Sequence, residues 1–229
     1  MKVQINKEVF KKFGNKFKVI LITVKDFDNS SKLMEARHLV SEIEQMTKLM
    51  FTKETLKNHV LISPWEVAKL EFGAKAKHYH TSVEKLLQKV LKGKKVETKD
   101  TLTSLFRYLS LKHIIPGAVD DLDKISGAIN FSLVENKKRV GVLKNLLPTE
   151  LYYHDSDKVL GAKLDYWKNK KTSLSKDSKN ALIHFEIMPP IDKKKMDALV
   201  SDLRSLVSDF CGGKLKITIL NKTKNSANV

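Results

Sequence analysis

Phe17 to Val24 reads FKVILITV, an apolar run that only Lys18 and Thr23 interrupt. A strand with one wet face alternates apolar and polar residues, so a near-continuous apolar strand belongs at a central position in a sheet. The preceding VQINKEVF reads as a strand or an edge-forming turn. After the run, Ser30 or Ser31 is placed to cap a long helix over 31–50, with Leu33, Ala36, Leu39, Val40, Ile43, Thr47 and Met50 on one face. His38 and Glu42 sit one helical turn apart there, and with no further ligand at metal spacing they read as a solvated pair.

Ser63-Pro64-Trp65-Glu66 has the pattern of a helix start and implies a helix from Pro64 to Phe72, ending at Gly73. Thr81 and Glu84 form a second capping box. It opens a helix that turns Val83, Leu86, Leu87, Val90 and Leu91 inward and ends at Gly93. From Arg107 to Leu133 the chain reads as the end of a helix, a Pro116-Gly117 turn, an acidic loop with Asp120, Asp121 and Asp123, and a strand from Ala128. Short strands are expected at 139–143, 151–154 and 158–164, and a further strand at 181–187. Asp192 should cap a helix that ends at Gly212-Gly213, followed by a strand over 214–220 and a flexible tail over 221–229. With no linker or repeat, this order implies one α+β domain over 1–229, with mixed β-sheets and packed helices and a strand-and-helix N-terminal part over 1–60.

The chain is strongly basic. It has 43 Lys and Arg against 26 Asp and Glu, a formal net charge of +17 carried mostly by lysine. Such a field attracts polyanions, in a salt-dependent way, although lysine-rich composition also serves solubility. The single cysteine, Cys211, rules out an internal disulfide and fits a reducing compartment; beside Phe210 on an apolar pattern it reads as an inert thiol. No secretory signal and no apolar run of membrane-spanning length is present, so a cytoplasmic protein without a membrane partner is expected.

No phosphate-binding glycine loop, zinc cysteine set, serine-nucleophile elbow or His-Glu metal motif occurs, so the sequence calls for no metal and no cofactor. Two stretches suit nucleic acid. His78-Tyr79-His80 lies beside lysines and can stack on bases or hold a phosphate. Tyr166-Trp167 precedes Lys168, Lys170 and Lys171, offering rings for stacking and ammonium groups for phosphates. Each is also an acceptable polar loop. His184, inside a strand, reads as a hydrogen-bonded half-buried residue.

The stretch around Ser110, Pro116, Gly117, Asp121-Leu122-Asp123-Lys124-Ile125 and Gly127 resembles the B-three/B-four domain. That domain is the tRNA-binding and editing module of the bacterial phenylalanyl-tRNA synthetase beta subunit, and it also occurs as small stand-alone proteins. Trp65, Gly73, Ser82 to Leu87 and Lys92 to Lys94 extend the resemblance, which covers roughly 64–210. The stand-alone form is the nearer match, with the 31–50 helix as its addition.

The resemblance implies an editing-domain-like fold and a pocket between two halves. Such a pocket accepts an amino acid, free or esterified to a tRNA 3′ end, and hydrolyses a misacylated ester through a positioned water. The pocket candidates it marks are Arg107, Ser110, His113, Gly117, Ala118, Asp121 and Asp123. Asp121 would hold a backbone or ammonium group and Asp123 brace the turn, while Lys163 or Lys168 would meet phosphate; each also suits loop stabilisation. Arg107 stands where the family has asparagine, Ser104 where it has aspartate, Ala118 where it commonly has histidine, and Lys163 where it has arginine. Of the tryptophan-rich cluster only Trp167 is identical. Three readings follow: an aminoacyl-tRNA deacylase acting in trans, a non-catalytic tRNA- or RNA-binding module, or a binder of an amino-acid-like small molecule.

Overall fold

The structure, a computed structural model, describes residues 1–65, 81–135, 143, 144, 146, 148, 150–162 and 165–229. The apolar run of the sequence becomes β2 (Lys18–Lys25), flanked on both sides by antiparallel partners, β8 (Asn180–Ile187) and β9 (Lys214–Leu220). β3 (Gly117–Asp121) pairs with the far side of β8 and completes a four-stranded sheet. Residues of β2 alternate between two destinations. Ile20, Ile22 and Val24 enter a core built with helices, whereas Val19 and Leu21 enter a second core shared with another sheet. Both faces are covered, which is why no polar face interrupts the run.

The second sheet has six strands, in the order β10 (Ser226–Asn228), β1 (Lys2–Ile5), β4 (Ile129–Leu133), β5 (Leu151–His154), β6 (Val159–Ala162) and β7 (Trp167–Lys168). β1 and β4 run parallel and the other pairs antiparallel. Between the sheets lie Val3, Ile5, Ile129, Phe131, Leu151 and Leu160 with Val19, Leu21 and Leu182. α1 (Lys7–Phe13) adds Val9, Phe10 and Phe13 to this core. The outer face of the four-stranded sheet is covered by α2 (Leu33–Met50), α5 (Thr101–His113) and α6 (Lys193–Phe210). Their contributions include Ala36, Leu102, Leu105, Leu109, Leu199 and Leu203. α3 (Lys53–Lys57) and α4 (Ser82–Leu91) pack beside α2 and α5 through Leu56, Ile62, Val83, Leu87 and Leu111. The layers are therefore helices, four strands and six strands, the α+β architecture expected from the sequence.

Local chemistry fixes the helix ends. Both halves of the Thr81–Glu84 capping box form, a device worth about 1 kcal/mol. Gly93 takes a left-handed φ of 75° just after α4, and Asp192 accepts from the Lys195 N–H at 2.9 Å at the start of α6. Burial pushes the Cys211 thiol up to about 12, which keeps it inert. Among the described residues no helix is long and apolar enough to cross a membrane.

Several expectations change. The VQINKEVF segment is a strand followed by a helix, not a turn. Neither Ser30 nor Ser31 caps α2: Lys32 occupies the cap position with a left-handed φ of 49°, Ser30 bonds Asp28, and the Ser31 carbonyl accepts from the Thr101 hydroxyl. Residues 117–121 form a buried edge strand of the four-stranded sheet rather than an acidic loop, and Asp120 and Asp121 are buried. Gly117 is needed there for close approach, because a Cβ would run into the His184 carbonyl oxygen. The 221–229 tail folds into a turn and a strand. Asn221 organises a turn by accepting from Thr223 and Lys224, β10 pairs with β1, and Ala227 and Val229 pack on the inter-sheet core. The expected helix end over 66–73 and most of the strand expected at 139–143 lie outside the described residues.

Candidate functional site

One face of α4, the first half of α5, β3, the turn after β6 and β7 surround a cleft of about 670 Å³. α4 contributes Ser82, Lys85 and Lys89; the segment leading into α5 contributes Lys99 and Asp100; α5 itself contributes Thr103 and Arg107. Opposite them stand Asp165, Tyr166, Trp167, Lys168 and Lys170, with Gly117 and Ala118 of β3 between. Among the described residues, six cationic side chains line the cleft against three carboxylates, Glu97, Asp100 and Asp165.

Two of these cations are suited to receive an anion. The Arg107 guanidinium donates to the Glu97 carbonyl at 2.6 Å. Burial lowers its pKa against the opposing pull of Asp100, but arginine stays charged. Partial desolvation, with Arg107 nearby, also lowers the Lys85 ammonium. Lys85 lies 4.4 Å from the Tyr166 ring centroid and donates to the Tyr166 carbonyl at 3.1 Å, tying α4 to the aromatic wall. Neither cation forms an ion pair among the described residues, so an incoming anion would regain for them what desolvation removed.

Other residues expected at a site have structural duties. Ser110 donates its hydroxyl to the Ile115 carbonyl at 2.6 Å and closes the end of α5. His113 bonds Asp202 of α6 at 2.7 Å, away from the cleft. Asp121 accepts from the Ser178 hydroxyl and the Asp123 N–H and pairs with Lys124, and it is not among the cleft-lining residues. Asp123 braces Asn180. Lys168 lines the cleft, but its ammonium is taken by buried Asp120, with the Thr172 hydroxyl 3.0 Å away. The phenol of Tyr153 donates to the same Asp120 at 2.9 Å. Burial and the adjacent carboxylates push that phenol well above its ordinary pKa, keeping it a donor. Lys171 is exposed and is not among the cleft-lining residues. Lys163, His78, Tyr79 and His80 lie outside the described residues. Of the expected residues, the cleft therefore gathers Arg107, Gly117, Ala118, Tyr166, Trp167, Lys168 and Lys170.

Sequence reading missed a cluster behind Asp165. His184 and Glu186 share the inner face of β8, and with Asp165 they bring three potential ligand atoms within 4.8 Å of one another, all buried. His184 Nε2 is 2.9 Å from Asp165 Oδ2, and its ring meets Phe131 and Tyr153 edge to face. Burial, reinforced by Asp165, pushes the Glu186 carboxyl well above the usual range. The sequence signal was two ionisable residues spaced by two within an otherwise apolar strand.

A profile of the B3/4 domain matches residues 65–212, nearly two thirds of the chain. The chain belongs to the B3/4 domain family. The matched B3/4 region includes every element that lines the cleft, while β1, β2 and α2 precede it and β9 and β10 follow it. Among solved structures, an N-terminal fragment of the phenylalanyl-tRNA synthetase beta-subunit from Pyrococcus horikoshii is similar over 52% of this chain and 43% of that one, at 14% identity and a TM-score of 0.41. A likeness that distant carries no functional conclusion, and this chain spans less than half of that fragment. No curated protein matches.

Proposed function

We propose that this B3/4 protein binds the acylated 3′ end of a tRNA in the cleft and hydrolyses a misacylated ester in trans. The observation that carries the reading is the pairing of exposed Lys85 and half-buried Arg107, neither in an ion pair among the described residues, with Tyr166 and Trp167 across a cleft of about 670 Å³. The cations suit backbone phosphates and the rings suit a terminal base, a combination typical of single-stranded RNA recognition. In this reading Asp165, the carboxylate on the aromatic wall, accepts a hydrogen bond from a water or from the α-ammonium of the acyl group. A cytoplasmic setting accords with this substrate and with the free thiol of Cys211.

The cleft volume also falls within the range of small-molecule pockets, roughly 300–1,000 Å³, so a free amino-acid-like ligand is the second reading. Deacylation of a panel of correctly and incorrectly charged tRNAs, with wild type and Asp165→Asn, tests the proposal. It predicts turnover of one misacylated species, reduced at least tenfold in D165N. Salt-sensitive binding without turnover would leave an RNA-binding module. Neither binding nor turnover would overturn the RNA reading in favour of the small molecule.

A further inference from the structure

Among the described residues, two buried side-chain polar atoms have no hydrogen-bond partner: His184 Nδ1 and Glu186 Oε2. Both belong to the cluster with Asp165, although almost every buried polar group in a folded protein is satisfied by protein, water or an ion. We propose that Asp165, His184 and Glu186 bind one divalent transition-metal ion, of the zinc or manganese class, in the wall of the cleft.

The donor set supports that class. The imidazole suits zinc and the carboxylates suit zinc and manganese, whereas magnesium and calcium favour six or more oxygen ligands. Donors about 2.0–2.1 Å from a tetrahedral ion lie about 3.3 Å from one another. The three ligand atoms here fall within 4.8 Å of each other; the closest pair, His184 Nε2 and Asp165 Oδ2 at 2.9 Å, would exchange its hydrogen bond for the ion, and Glu186 Oε2 would gain the partner it lacks. Charge points the same way. Two carboxylates and a neutral imidazole balance a dication, and among the described residues no lysine or arginine pairs with Asp165 or Glu186. Of the two cations on this wall, Lys168 is committed to Asp120 and Lys170 is exposed.

The neighbourhood fixes the ligands. His184 and Glu186 ride on β8, a strand paired on both sides along its length, and the His184 ring is held by Phe131 and Tyr153. Asp165 alone of the three lines the cleft, which gives the ion a route in. Metal binding is measured without RNA, so failure of this inference and failure of the RNA reading are distinguishable.

The test is elemental analysis of untagged protein purified without chelator, followed by thermal denaturation of chelator-stripped protein with and without added Zn²⁺ or Mn²⁺. About one equivalent of metal per chain is expected. At a free metal concentration about 100-fold above Kd, the melting temperature should rise by roughly 5–10 °C. Glu186→Gln keeps the shape of the side chain and should abolish both effects, as should Asp165→Asn. If wild type takes up no metal and E186Q melts at the same temperature or higher, the cluster is a carboxyl pair sharing a proton and the proposal is overturned. Metal retained at full stoichiometry in E186Q would place it elsewhere, with the same consequence.

Discussion

Replacing Asp120 by alanine should be among the most destabilising single changes in this protein, although Asp120 lies in a stretch that reads as an acidic loop. Its side chain is fully buried, with Tyr153 OH on one oxygen at 2.9 Å and the Lys168 ammonium on the other. Alanine would strand a buried phenol, at about 1–3 kcal/mol. It would also leave an ammonium that is only a quarter exposed without its counter-ion, in the range of about 3–5 kcal/mol for breaking a buried pair. Partial exposure of Lys168 and relaxation bring the expected total to about 3–5 kcal/mol. At 2–4 °C per kcal/mol for a chain of this size, the melting temperature falls by about 6–20 °C. Urea denaturation gives the same quantity from the midpoint if the slope is unchanged. The double variant D120A/K168M removes both charges and should recover about 2 kcal/mol of that loss as coupling energy. A cost below about 1 kcal/mol for D120A would refute the structural assignment of Lys168. So would K168M weakening RNA binding without loss of stability.

Gly161→Ala should cost about 1–3 kcal/mol by pressing on the Tyr153 ring and Asp165 Oδ1, measured by chemical denaturation and accompanied by a change in tyrosine fluorescence. Acidification should destabilise the α5–α6 contact. Burial lowers the His113 pKa despite the opposing pull of Asp202, so its contribution is complete above the ordinary value of 6.5 and is lost as pH falls below it. Burial raises the Asp202 carboxyl, but bonds from Lys112 and His113 outweigh it and lower the pKa below 3.8, so that contribution disappears only in stronger acid. Stability measured against pH should therefore be flatter below pH 6.5 in His113→Asn than in wild type, and identical slopes would contradict this.

Elements whose burial is written locally were readable in the sequence. The continuous apolar run predicted the central β2, the Thr81–Glu84 spacing predicted the start of α4, and Asp192 predicted the cap of α6. What failed to show depends on distant partners. Asp120 and Asp121 looked like turn residues because Tyr153, Lys168 and Ser178, which justify their burial, lie 33 to 57 positions away. Lys168 looked like a phosphate ligand for the same reason. The C-terminal segment looked like a frayed tail because its polar composition hides Ala227 and Val229, which dock on the inter-sheet core. For the cleft, the aromatic-basic run at 166–170 was legible, whereas Lys85 was absorbed into a helix pattern and its approach to Arg107 and Tyr166 needed the fold. Asp165 joins His184 across 19 residues, a pairing no local motif announces.

The central claim is that Lys85 and Arg107 receive the anionic end of an RNA. Its most direct test is the affinity of wild type and of Lys85→Ala/Arg107→Ala for an aminoacylated tRNA, measured across a range of salt concentrations, with the fold of both checked by thermal denaturation. If the two cations each neutralise a phosphate of the single-stranded end, the double variant loses affinity and its log–log salt slope becomes shallower by about 1.4. A folded double variant with unchanged affinity and slope would contradict the account.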